Sequence, residues 1–281
     1  MLKLDRLGWA DGIAFTSYGL RVGVRVSHRK ALPYVLNRLP LGWKPAKSPV
    51  VEHLYSVIMG DNDPTSNIRR FNLIYWDSAR LVRSKDWNEA LDVFESQVQL
   101  KVAEYARRWV FVHAGVVGWR KTAILIPGLS LSGKTTLVDY LVRAGATYYS
   151  DEYAVVDERG RVHPYARPLG IRGPDFHQVK VPVEQLGGKA GSEPLRVGLV
   201  VSTSYRAGSK WRPRNLSPGR GVLELLANTV CARSQPELAL AILPKAIASA
   251  PVLKSVRGEA KETASAILKE MDARRTFALD T

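Results

Sequence analysis

The stretch Thr122-Ala-Ile-Leu-Ile-Pro-Gly128-Leu-Ser-Leu-Ser-Gly133-Lys134-Thr135-Thr136 decides how this chain is read. Gly128, Gly133, Lys134 and Thr135 satisfy G-x-x-x-x-G-K-[ST] at every position. A phosphate-binding loop of this kind needs a buried strand running in and a helix running out. Residues 122–126 are a short apolar run that fits a covered strand. Leu137, Val138, Leu141 and Val142 recur at helical spacing over 136–144, and Gly145 supplies a stop. Glycines let backbone N–H groups close round phosphate oxygens, and a helix N-terminus adds positive potential. The Lys134 ammonium reaches terminal phosphates and the Thr135 hydroxyl can ligate Mg²⁺. Ser130, Ser132 and Thr136 complete the expected nucleotide contacts. A Gly/Ser-rich turn that fits the pattern by chance has no need of these flanks.

Working outward, Trp109-Val-Phe-Val-His113-Ala-Gly-Val-Val117 reads as a strand just upstream of the loop strand. Downstream, the stretch from Ala146 to Asp157 reads as a strand ending near Asp151 and Glu152. Val162 to Ile171 looks extended, broken by Pro164 and Pro168, and Val197 to Ser202 is a short apolar strand. Tyr205 to Gly221 reads as a loop carrying Arg206, Lys210, Arg212, Arg214 and Arg220 with no acidic residue. Helices are expected at 221–232, 236–248 and 258–274. Further upstream, residues 12–27 read as a hairpin turning at Tyr18-Gly19. A short helix is expected over 31–39, a strand over 50–59, a turn over 60–64, and a strand pair around Asp77-Ser78. Trp87, Leu91, Phe94, Val98, Val102 and Tyr105 keep steps of three and four, which predicts a long helix over 87–107. The expected fold is therefore α/β, with an N-terminal α/β unit over 1–107, a loop-bearing unit over 108–281, and a helical cover from the C-terminal segments.

The 281 residues allow one large or two modest domains. No apolar run approaches the length of a membrane helix, so no membrane association is expected. Cys231 is the single cysteine, which excludes an internal disulfide and a cysteine metal cluster. The first residues, Met-Leu-Lys-Leu-Asp-Arg, lack the apolar core of a secretory signal, and a cytoplasmic chain is expected. The formal net charge is +15. Residues 1–100 hold 14 Lys or Arg against 10 Asp or Glu, and residues 101–281 hold 27 against 16. The excess thus sits with the phosphate loop, where it attracts anions.

Phosphoryl transfer needs the nucleotide held, Mg²⁺ ligated, charge neutralised and an acceptor oriented. Asp151 and Glu152 follow the loop helix by one strand, where carboxylates can face bound phosphates. Adjacent strand residues point to opposite faces, so both reach one site only if the strand ends or bulges there. One would ligate Mg²⁺ while the other receives the acceptor proton; the competing reading is a solvated acidic turn. His113 either orients a carboxylate or is a satisfied core residue, as a lone histidine in an apolar strand usually is. Arg167 and Arg172 either clamp the nucleotide or a substrate anion, or decorate the surface.

The residues Val112-His113-Ala-Gly115-Val, the loop Gly128 to Thr136, Gly145 and Ser150-Asp151-Glu152 together resemble the catalytic domain of bacterial HPr kinase/phosphorylase. More closely they resemble the HPr-kinase-related serine kinases, including those that phosphorylate lasso-peptide precursors. The resemblance covers roughly residues 109–172. It implies a core shared with phosphoenolpyruvate carboxykinases, ATP and Mg²⁺ as cofactors, and a homo-oligomer. It further implies Asp151 as proton acceptor, Glu152 beside the metal, His113 in support, and Lys134 and Thr135 as phosphate and Mg²⁺ contacts. The loop interior Leu129-Ser-Leu-Ser132 departs from the Asp-Ser-Gly-Val of HPr kinases proper, and the segment Tyr165 to Arg172 stands where the family carries a Glu-containing motif. The resemblance therefore does not extend to HPr as acceptor or to a phosphorylase activity.

The expected function is an ATP-dependent kinase acting on a Ser/Thr hydroxyl of a peptide or small protein. The alternatives are a small-metabolite kinase and a nucleotide-switched binding module for nucleic acid. Nucleic acid is not the expected partner, since the sequence contains no recognisable module for it.

Overall fold

A computed structural model describes residues 3–60, 70–129, 132–172 and 178–279. Two compact units divide the chain at Arg107/Arg108.

In the first unit the hairpin of β1 (Asp11–Ser17) and β2 (Leu20–Val26) turns at Tyr18 and Gly19, both with positive φ. That is the turn geometry matching strand twist. After α1 (Leu32–Leu36) come β3 (Lys44–Pro45), β4 (His53–Ile58), β5 (Asn72–Trp76) and β6 (Ala79–Ser84). Among the described residues they form a six-stranded sheet ordered β3-β1-β2-β4-β5-β6. The turn expected over 60–64 falls mostly outside the described residues. Asp86 caps α2 (Trp87–Tyr105) by accepting from the Asn88 N–H at 2.8 Å. Leu91, Phe94, Val98 and Val102 form its buried stripe and pack with Phe15, Val24, Tyr55 and Ile74.

The second unit is built round one long strand, β7 (Trp109–Trp119). The following elements are β8 (Thr122–Pro127), α3 (Lys134–Arg143), β9 (Thr147–Ser150), β10 (Tyr153–Asp157), β11 (Arg161–His163), β12 (Leu169–Arg172) and β13 (Gln178–Val181). Then come β14 (Leu195–Tyr205), β15 (Arg214–Asn215), α4 (Pro218–Leu226), α5 (Pro236–Ala246), β16 (Val252–Arg257) and α6 (Ala260–Leu279). The main sheet runs β11-β10-β7-β8-β14-β16-β15, with β9 on β7 and β11 also touching the start of β14; β12 and β13 pair separately. β8, β14 and β16 are parallel neighbours, covered on both faces. Val110, Val112, Ala114 and Val116 face α4 and α5. Val117, Ile124, Ile126 and Leu199 face α3 and α6. Gly115 is what lets α3 come this close to β7, because a Cβ there would lie 2.5 Å from Val138 Cγ2.

The expected helical cover is two-sided, for α4 and α5 lie on one face and α6 on the other. The residues between α5 and α6 form β16, a parallel neighbour of β14 that the sequence reading passed over. The strand expected to end near the acidic pair does so as β9, and a second strand, β10, follows the turn that holds the pair.

Candidate active site

The loop and the acidic turn are tied to the same point of β7 from opposite edges. Gly128 N–H donates to the His113 carbonyl at 3.1 Å, and Ala114 N–H donates to the Glu152 carbonyl at 3.2 Å. The buried Ser150 hydroxyl shapes the turn, accepting from the N–H groups of Glu152 at 3.1 Å and Tyr153 at 3.0 Å. Because the strand ends there, Asp151 turns toward the loop helix while Glu152 turns to Arg167.

Asp151 Oδ2 accepts from Thr135 Oγ1 at 3.1 Å. Asp151 Oδ1 accepts from the Tyr148 hydroxyl at 2.9 Å, and the same hydroxyl lies 2.8 Å from the Arg167 carbonyl. Burial, with Asp151 beside it, pushes the Tyr148 phenol far above its ordinary range, so it serves as a fixed donor. Glu152 Oε2 pairs with Arg167 Nη1 at 3.1 Å. Lys134 Nζ donates to the carbonyls of Gly128 at 2.6 Å and Leu129 at 2.7 Å. Burial draws the Lys134 ammonium below the usual lysine range, against the pull of Asp151 and Glu152. Thr136 is exposed in the first turn of α3. Ser130 lies outside the described residues, and Arg172 closes β12 opposite Gln178.

His113 lies tilted against Tyr153 with ring centroids 4.7 Å apart. Burial holds the imidazole below the usual histidine range; the Lys134 ammonium adds to this and the Glu152 backbone opposes it. The unfolded chain takes up a proton at about pH 6.5 that the folded chain refuses, so stability is full above that pH and falls on acidification. Urea melts at neutral and mildly acidic pH should therefore show a smaller acid loss in His113→Asn than in the native chain. Equal pH dependence would contradict the assignment.

Arg257, at the end of β16, completes the loop, and the sequence reading missed it. It is 3 % exposed, and its Nη2 donates to the Gly133 carbonyl at 3.0 Å. Burial draws its guanidinium below the ordinary arginine range. Gly133 has φ +79°, and a Cβ on it would lie 2.3 Å from Arg257 Nη2. Gly133→Ala should thus cost about 1–2 kcal/mol in backbone strain alone and displace Arg257. Thermal melts and nucleotide titration check this, and native behaviour in both would contradict it.

The residues fit a nucleotide with Mg²⁺. Ser132 Oγ in the loop and Arg257 Nε on β16 are buried without a hydrogen-bond partner among the described residues, so each is a polar atom in want of a ligand. Among the described residues no group of three or more His, Cys, Asp or Glu could hold a metal by itself. Thr135 with Asp151 and Glu152 matches the sparse ligation of Mg²⁺, which takes one or two carboxylates, phosphate oxygens and water. No helix among the described residues is long and apolar enough to cross a membrane.

No family model matches the chain, and no curated protein does. Among solved structures, the HPr(Ser) kinase/phosphatase from Coxiella burnetii is similar over 61% of this chain and 99% of its own, at 14% identity and a TM-score of 0.34. A likeness at that level supports no assignment.

Proposed function

We propose that the chain is an ATP-dependent kinase that phosphorylates a Ser or Thr hydroxyl of a peptide or small protein, on a P-loop core of the HPr-kinase type. The observation that carries this reading is the 3.1 Å contact between Thr135 Oγ1 and Asp151 Oδ2, which joins the phosphate loop to the acidic turn.

In this reading the backbone from Gly128 to Lys134 and the α3 N-terminus hold the phosphates. Lys134 exchanges its two carbonyl partners for terminal phosphate oxygens. Arg257 holds the Gly133 peptide in place and lends positive charge beside it. Mg²⁺ bound near Thr135 would neutralise charge on the transferring group. The acceptor oxygen forms a bond to the terminal phosphorus as the bond to the departing ADP breaks, and Asp151 takes the acceptor's proton. Tyr148 and Thr135 aim the Asp151 carboxylate, Arg167 steadies Glu152 beside it, and His113 supports the turn in its neutral form.

The test is mass spectrometry of a Ser-containing peptide library incubated with the protein, ATP and Mg²⁺. A gain of about one phosphate on a Ser or Thr is expected, with its added −1.5 to −2 charge. ATP consumption with no phosphorylated peptide or protein would overturn the acceptor class.

A further inference from the structure

We propose that the groove at the C-terminal ends of β14 and β16 docks an acidic segment of the acceptor peptide, an inference that rests on the kinase reading above. Two adjoining depressions of about 500 and 230 Å³ share Arg214 and Lys254. Arg212, Ser202 and Ser204 line the larger, and Arg220 of α4 lines the smaller.

The charges here are only partly balanced from within, by Glu224, which also lines the smaller depression. Arg214 stands directly opposite Lys254 in the β15–β16 ladder. Like charges in that position are destabilising. Lys254 pairs with Glu224, which also accepts from Ser202 Oγ at 2.7 Å. Among the described residues Arg212, Arg214 and Arg220 have no carboxylate partner, and all three are exposed. Residues 206–223 contain no Asp or Glu at all. Glu224 offsets the charge of Lys254 but leaves the three arginines as an exposed cluster of one sign, and a cluster of one sign attracts anions.

The arginines are also held in place. Arg212 N–H donates to Ser255 Oγ at 3.1 Å, and the half-buried Trp211 packs against the core under α6. Carboxylates suit the groove better than bases do. Only one ring of the segment, Tyr205, is exposed, for Trp211 is packed, and a single exposed ring is a poor platform for successive bases. The groove also lies at the end of the sheet where β8 delivers the phosphate loop. Lys254 and Arg257 both sit on β16 but on opposite faces, Lys254 toward Glu224 of α4 and Arg257 toward Gly133 of the loop. Beyond the C-terminus of α4, the Asn228 carbonyl accepts from the His113 N–H at 2.7 Å. Bound parallel strands open their ligand sites at this end.

The experiment is fluorescence anisotropy with a fluorescein-labelled hexaglutamate-serine peptide, a hexalysine counterpart and a short single-stranded DNA. The glutamate peptide should bind and the lysine peptide should not. Arg212→Glu with Arg214→Glu should weaken binding at least about tenfold, with the affinity for a non-hydrolysable ATP analogue unchanged. Arg220→Glu, on a different element, should weaken it as well, and Lys134→Ala should leave it at the native level. Native peptide affinity in both arginine variants overturns the proposal. So does DNA binding tighter than peptide binding and lost in the same variants. Arginine-dependent binding with no phosphate transfer to any peptide would sink the kinase reading and leave the groove an acidic-peptide site. Transfer whose KM ignores the arginines would sink the groove alone.

Discussion

Lys134→Ala should reduce phosphate transfer by about 10²–10³-fold or more, the loss seen when one preorganised charge-stabilising donor is removed. It should do so without unfolding the protein. Lys134 holds no carboxylate by a direct bond; its ammonium satisfies the Gly128 and Leu129 carbonyls. The side chain is drawn below the usual lysine range by burial, so the fold bears a cost for keeping it charged there. Removing it relieves that cost while freeing two carbonyls at the edge of solvent, and the two effects oppose one another. A melting temperature near the native one, with nucleotide binding and turnover lost, is the expected pair of results. Native turnover would remove the phosphate-loop assignment.

Asp151→Asn should keep nucleotide binding and lose transfer by about 10²–10⁴-fold, the usual contribution of a positioned proton acceptor. The substitution preserves shape; its one carbonyl oxygen can accept from Tyr148, while the amide NH2 faces the Thr135 hydroxyl, which can turn to accept instead, so the turn stays intact. Asp151 Oδ2 lies against Thr135 Oγ1, so the same carboxylate also reaches the position expected for Mg²⁺. Metal dependence separates the two roles. If Asp151 acts only as base, the variant binds nucleotide with native Mg²⁺ dependence; if it also ligates the metal, that dependence weakens. Transfer at the native rate would exclude Asp151 from both.

How much of this was legible in the sequence varies along the chain for physical reasons. The strand before the loop and the helix after it were readable because their apolar residues repeat with clear periods. The condition that the acidic pair must sit where a strand ends followed from side-chain alternation alone, and Ser150 is the residue that ends it. β16 was not legible. Val252-Leu-Lys-Ser-Val-Arg257 follows Pro251, carries two charges, and resembles a linker before the last helix. Its burial comes from parallel pairing with β14, a contact between distant segments that no local pattern announces. Arg257 was missed for the same reason, since arginines are mostly exposed and this one is buried only by its place two strands from the loop. Nothing in the sequence singles out Tyr148; its hydroxyl matters because β9 stops two residues later and brings Asp151 within reach.

The central claim is that the glycine loop and the carboxylates of the following turn form one site for a nucleotide and its metal. Calorimetric titration of a non-hydrolysable ATP analogue, with and without Mg²⁺, tests it most directly in the native chain and in the Asp151→Asn/Glu152→Gln double variant. The native chain should bind more tightly with Mg²⁺, and the double variant should bind with little regard to it. Full Mg²⁺ enhancement in the double variant would place the metal elsewhere and contradict the shared site.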